Sequence, residues 1–430
     1  MKQSRDWVDQ NWIFASGLQR RADGYPTQIP QGSITLVRTL ILDGGENQKS
    51  LVYPAGQYTV LYDGDGDVQF SGDAAVVSQQ PGRIIITIQP NEGTYIAITR
   101  SNVNNPVRKM RIIMPGYENI YQAKPFYPPF LQRMGNTSTI RLMNVMNTNR
   151  GACCYSLSEP QITWNDRTLP DENTQNTRAG MAIEHLVALA NTADKSPWFT
   201  ISHLASDDYV RNFASYVNAN LNSNLDIYVE FSNEVWNNIF IQNAYVQQQG
   251  CADPQTRVDD GAGGCDIYRS GRMWQGKRSG QIFTLFQQEL TDDSRLVRVV
   301  ASQSGYNGWT ASMFNPIFQG LTLVGQTADA LSIAPYFGGG VTSTIQQSGQ
   351  MDSITVDQLL DLAEQNLYGE TLLIMKDAAQ YAQQKGVRLL AYEGGHHLVA
   401  TGGFENNQPW ADKIIAAAHH PRMRGLYNAY

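Results

Sequence analysis

Two patterns of apolar and polar positions divide the chain. From about Gly32 to Gly116, short runs alternate between apolar and polar residues and are broken by turn residues, at roughly the 8- to 12-residue spacing of β-sandwich proteins. Ser33-Ile34-Thr35-Leu36-Val37 opens the series, and Gly56 to Tyr62, Arg83 to Ile88 and Val107 to Met114 continue it. After Pro125 the pattern changes to short apolar strands separated by segments of helical period. Strands are predicted at Thr139 to Asn144, Trp198 to His203, Asp226 to Phe231, Leu296 to Ser302, Ala330 to Tyr336 and Val387 to Glu393. Between the second and third of these, Val210, Phe213, Ala214, Val217 and Leu221 form one apolar stripe, and Ser206 is placed to cap that helix. Leu372, Met375, Ala379 and Ala382 form another, closed by Lys385-Gly386. Strands alternating with helices imply a parallel sheet with helical crossovers. Six strands fit an open sheet or part of an eight-stranded barrel. In either arrangement the residues just past the strand ends share one rim, where α/β proteins place their chemistry.

Composition narrows the partners. Charged residues make up 17% of the 430 residues, against roughly 25% in ordinary soluble proteins. Lys and Arg number 32 against 39 Asp and Glu, a net charge of −7, which leaves no basic field for nucleic acid or an anionic membrane. No apolar run approaches the ~18 residues of a membrane span. The surface is expected to be polar and uncharged, a style common in exported carbohydrate-active proteins, although the first residues carry no apolar signal-peptide core. Cys251 and Cys265 bracket a Gly/Asp-rich loop that a disulfide could close, and Cys153 and Cys154 are adjacent. All four could equally be reduced thiols. Their spacing does not suit a zinc site. Asp63-Gly64-Asp65-Gly66-Asp67 resembles the start of a calcium loop, but Val68 and Ala74 occupy the positions where Gly and Glu are needed. A hairpin turn is the better reading. No cofactor or metal is implied, and nothing in the sequence indicates an oligomeric state.

The densest chemical signal is Ile227-Tyr228-Val229-Glu230-Phe231-Ser232-Asn233-Glu234-Val235-Trp236-Asn237, a strand that runs directly into Asn-Glu. Three predicted strands later, Leu389-Leu390-Ala391-Tyr392-Glu393-Gly394-Gly395 ends on a second carboxylate. Two facing carboxylates are the equipment of glycoside hydrolysis: one gives its proton to the leaving oxygen, while the other attacks the sugar or activates water. Taken singly, a strand-end glutamate also serves to cap a helix or to pair with arginine. Glu230 and Arg298 lie inside predicted strands and are expected to form a buried ion pair, with each other or with Arg141.

Asn-Glu at one strand end and a lone Glu three strands later resemble clan A of the retaining glycoside hydrolases. The strings Tyr228 to Asn237 and Tyr392-Glu393-Gly394-Gly395-His396 are similar to a bacterial branch often labelled cellulose-binding. The resemblance implies a (β/α)8 TIM-type barrel, truncated at both ends, with an inserted all-β sandwich. Its divisions would be residues 1–31 (start of the barrel), 32–116 (sandwich) and 117–430 (main barrel). By that resemblance Glu234 is the acid/base and Glu393 the nucleophile. Asn233 would bond the sugar 2-hydroxyl, Arg141 would keep Glu393 ionised, and Tyr336 would hydrogen-bond it. His203 would line the same mouth or act as a satisfied strand cap. Trp164, Trp236 and Trp309 are candidate stacking platforms or simply core residues. The clan's first and last strands should flank the chain, so the chain is expected to be a piece of a longer product. The implied partner is a carbohydrate polymer or oligosaccharide, met outside the cell or at its surface. A non-catalytic carbohydrate-binding protein on the same scaffold is the alternative. An open-sheet esterase lacks its nucleophile elbow.

Overall fold

The computed structural model describes residues 7–15, 17–30, 32, 34–43, 53–151 and 155–430. Ser33, the start of the first predicted strand, and Cys153 and Cys154 lie outside them. The described chain divides into two compact units. One falls within Met1–Asn147, Ile162–Pro197 and Asn220–Asn222, and the other within Thr148–Gln161, Trp198–Ala219 and Ser223–Tyr430.

The first unit contains two antiparallel sheets built from β1 (Val37–Asp43), β2 (Gly56–Asp63), β3 (Gly66–Gly72), β4 (Ala74–Gln80), β5 (Arg83–Ile88), β6 (Gly93–Ser101) and β7 (Arg108–Ile113). Their orders are β1-β6-β3 and β4-β5-β2-β7. Alternation along the strands places Val60, Ile84, Ile86, Ile96 and Ile98 in one buried cluster with Trp7, Tyr25 and Tyr58, as a two-sheet sandwich requires. The first strand begins at Val37, where Ser33 to Val37 was expected. The Asp63 to Asp67 turn is not a hairpin, because β2 and β3 belong to different sheets and the turn crosses between them. Gly64 has φ +94° there, and a Cβ would strike the Pro106 carbonyl, so only glycine fits. The neighbouring carboxylates pair outward with arginine: Asp65 and Asp67 with Arg100, and Asp63 with Arg111.

The remaining strands are β8 (Thr139–Arg141), β9 (Ser196–Ile201), β10 (Ile227–Phe231), β11 (Leu296–Ala301), β12 (Ala330–Ile333) and β13 (Arg388–Ala391), ordered in one sheet as β13-β12-β11-β10-β9-β8. Each strand lies beside its successor in sequence, joined to it through a helical crossover. The expected (β/α)8 barrel does not form. The sheet has six strands, closure needs eight, and no further strand among the described residues pairs with either edge. The open edge shows in burial: all four residues of β12 are buried, while Arg388 and Ala391 of β13 are exposed and Leu389 and Leu390 only half-buried.

In the second unit, Phe231 of β10 meets Trp274 of the helix Ile267–Glu289 edge-on, and Phe199 of β9 meets Phe213 of Asp207–Asn220. The opposite face gathers Trp198, Tyr228, Val297, Val299, Ala301 and Ala330, joined by Tyr392 just past β13. Ser206 caps Asp207–Asn220 as expected, its Oγ accepting from the Tyr209 amide at 3.1 Å, and Val210, Phe213, Ala214 and Val217 are buried. The later stripe is rotated from its predicted face. In Leu372–Lys385 it is Ala378, Tyr381 and Ala382 that are buried, and Ala379 is exposed. Among the described residues no helix is long and apolar enough to cross a membrane.

Candidate active site

Because the sheet is parallel, the ends of its strands fall along one rim, and the polar residues cluster there. The ladder continues past the formal strand ends: the Ser232 amide donates to the Ile201 carbonyl at 2.7 Å, and the Tyr392 amide to that of Ile333 at 3.0 Å. Beyond that point the chain after β10 departs from extended geometry. Ser232 and Glu234 have φ of +57° and +39°, a left-handed conformation that costs a non-glycine residue about 1 kcal/mol or more. Packing around Asn233 holds it in place. Asn233 is buried; its amide donates to Asn149 Oδ1 at 2.6 Å, and its carbonyl accepts from Gln242 Nε2 at 2.9 Å.

This strained turn presents Glu234 to two donors. Asn237 Nδ2 reaches Oε2 at 2.9 Å, and the Tyr392 hydroxyl reaches Oε1 at 3.0 Å. The next residue along, Glu393, accepts from the Tyr336 hydroxyl at 2.7 Å. Glu234, Glu393, Tyr336 and Tyr392 therefore form one constellation within the second unit. The phenols register both carboxylates. Burial raises the pKa of Tyr392 most, followed by the charge and hydrogen bond of Glu234 and then the charge of Glu393. Tyr336 is raised by burial first, then by its bond to Glu393 and the charges of Glu393 and Glu234. Both phenols stay protonated and able to donate.

The other expected residues fall in different settings. Trp236 packs edge-on against Tyr392, ring centroids 5.9 Å apart, and so belongs to the constellation. Trp309 opens the helix Trp309–Thr322 after β11 and is half-exposed. Arg141 ends β8, and Trp164 opens the short turn Trp164–Asp166 beneath the Arg167 guanidinium; both lie in the first unit. His203 is buried at the end of β9, edge-on to Tyr245 at 5.0 Å. Burial, helped by the charge of Arg150, pushes its pKa down to about 3, so the imidazole is neutral at ordinary pH.

The expected Glu230–Arg298 pair does not form. Glu230 sits opposite Val299 in the register, so it shares that residue's face of the sheet, while Arg298 points to the other face. Arg298 grips Asp329 with two hydrogen bonds, at 2.7 and 2.8 Å, and Glu230 accepts from the Trp198 indole at 2.8 Å.

Sequence reasoning passed over Tyr392, Asn237, Asn149 and Arg150. Tyr392 and Asn237 lie inside the quoted motif strings, at one residue before Glu393 and three after Glu234, so spacing alone could have flagged them. Arg150 is fully buried against Glu159 at 2.7 Å, and no periodic pattern marks it. The disulfide Cys251–Cys265 is present. No family model, curated protein or solved structure matches the chain.

Proposed function

We propose that the chain is a retaining glycoside hydrolase acting on β-linked oligo- or polysaccharides, with Glu393 as nucleophile and Glu234 as acid/base. The observation that carries this reading is the pair of phenol bonds. Tyr392 holds Glu234, and the adjacent Glu393 is held by Tyr336, so two carboxylates converge on one rim. In the first step Glu393 attacks the anomeric carbon while Glu234 gives its proton to the departing oxygen, leaving a covalent glycosyl ester on Glu393. Glu234, now ionised, takes a proton from water, and the hydroxide oxygen displaces Glu393 from the sugar with net retention. The Tyr392 hydroxyl suits this cycle, since it donates to the ionised form of Glu234 and can turn to accept from the protonated form. Trp236, beside Tyr392, offers an apolar face for a sugar ring. The reading rests on the carboxylate pair and needs no closed barrel. The Cys251–Cys265 disulfide supports an oxidising, exported setting.

Hydrolysis of 4-nitrophenyl β-glycosides, with the product anomer followed by NMR, tests the proposal. Glu234→Gln and Glu393→Gln should each cut turnover about 10³-fold or more while the thermal midpoint is kept. Undiminished turnover in either variant, or an inverted product, would overturn the assignment.

A further inference from the structure

We propose that the first unit carries a second, non-catalytic glycan site: a pocket of about 220 Å³ along strand β7 and the segment from Tyr117 to Tyr127, suited to the ring of a neutral sugar residue. The inference rests on the pocket's own lining and goes beyond the hydrolase reading.

β7 is the edge strand of its sheet. The chain then folds back through a helical turn in which the Tyr121 amide donates to the Tyr117 carbonyl at 2.9 Å and that of Lys124 to Ile120 at 2.8 Å. This turn and the residues after it line the pocket with Tyr117, Tyr121, Phe126 and Tyr127. All four rings are half-buried, and none belongs to the sandwich core, whereas Met114 at the other wall packs against it. Tyr117 and Tyr127 brace one another edge-to-face, ring centroids 6.3 Å apart at 69°. Four aromatic side chains thus surround a hollow they do not fill, two of them braced against each other.

The lining selects the ligand. Tyrosine offers an apolar ring with a hydroxyl at its tip, which matches a pyranose, with C–H bonds on its faces and hydroxyls around its rim. The volume is below the roughly 300–1,000 Å³ of sites for drug-sized ligands, so a single ring is the appropriate guest. Charge plays little part. Arg111 is engaged by Asp63 at 2.8 Å, and nearby Glu118 by Arg83 at 2.8 Å; Lys124 is exposed to water, where a single screened charge contributes little, so the aromatic faces select the guest and a neutral sugar suits them. A peptide added to the β7 edge fits less well. Lys109 has φ +49° and breaks the extended edge, and Arg108, Lys109 and Arg111 charge it, both devices that discourage strand addition.

The test uses the full chain carrying Glu234→Gln and Glu393→Gln, so that no glycan is consumed, titrated by calorimetry with neutral β-glucan and xylan hexasaccharides, with oligogalacturonate and an extended apolar peptide as comparators. Tyr121→Ala with Phe126→Ala in that background should weaken binding of at least one neutral hexasaccharide tenfold or more, and Tyr121→Phe should retain it, with near-ultraviolet dichroism unchanged in both. Affinity unaltered by the double alanine change, no binding of any neutral hexasaccharide, or a preference for the peptide or the acidic sugar would overturn the proposal. The same Tyr121→Ala/Phe126→Ala pair in the unmodified chain should leave aryl glycoside turnover unchanged. A chain that hydrolyses nothing, yet loses glycan binding on that change, would retain this site while the hydrolase reading fell.

Discussion

The sandwich and the rim of the parallel sheet handle charge in opposite ways. In the sandwich, carboxylates and arginines meet at the surface: the Arg100 pairs with Asp65 and Asp67 involve side chains about half exposed, and the Arg83–Glu118 pair is little different. Its interior is aliphatic and aromatic, so alternation along seven strands suffices to build it. At the rim the polar groups are enclosed. Glu230, Asn233 and His203 are 2%, 1% and 5% exposed, and the Arg150 side chain is fully buried. Burying such groups is costly unless each is hydrogen-bonded or neutralised, and two left-handed residues add strain nearby. Charge is thus handled cheaply in the sandwich and expensively at the rim, and the expensive place is where the proposed chemistry is located.

That contrast can be broken by substitution. Glu230→Ala removes the buried acceptor of the Trp198 indole and should cost about 1–3 kcal/mol of unfolding free energy, read from urea melts; no loss, or a gain, would mean Glu230 is not structural. His203 sets an acid limit. Its folded pKa of about 3 lies below its ordinary 6.5, so the unfolded chain binds the proton first. The stability it contributes is intact above pH 6.5 and falls as pH drops towards 3, a loss on the order of 3 kcal/mol by pH 4. In His203→Gln the melt midpoint should depend less on pH in that window than in the parent, and equal slopes would contradict the assignment. Tyr392→Phe takes one of the two donors from Glu234. Turnover should fall about tenfold with KM little changed, whereas a change confined to KM would place Tyr392 in substrate binding. The smallest effect belongs to the sandwich: Arg100→Ala should leave the melt midpoint unmoved within error, since exposed pairs are screened by water.

Much of this was legible in the chain. Apolar runs such as Arg83 to Ile88, and the stripe through Val210, Phe213, Ala214 and Val217, reported local structure because burial on one face imposes a period of two or 3.6 on the residues that form it. All six parallel strands were found, with ends shifted by a few residues, and the disulfide loop was read as a possibility from its cysteines. Closure was not legible. A strand reads the same whether its outer edge is paired or open, and only the half-exposed β13 beside the fully buried β12 shows where the sheet stops. Partners were equally hidden. Glu230 and Arg298 look matched in sequence, yet strand register sends them to opposite faces of the sheet.

By itself, then, the sequence determined an all-β segment followed by alternating strands and helices, a surface unsuited to polyanions, and two glutamates at strand ends. These follow from local period, composition and position along a strand. The tertiary structure alone decided that the sheet of the described residues is open, that Tyr392 holds Glu234, and that Asp329 takes Arg298. Such pairings join residues tens to more than a hundred positions apart. They depend on register and on the turn after each strand, which are properties of the assembled sheet and not of any segment within it.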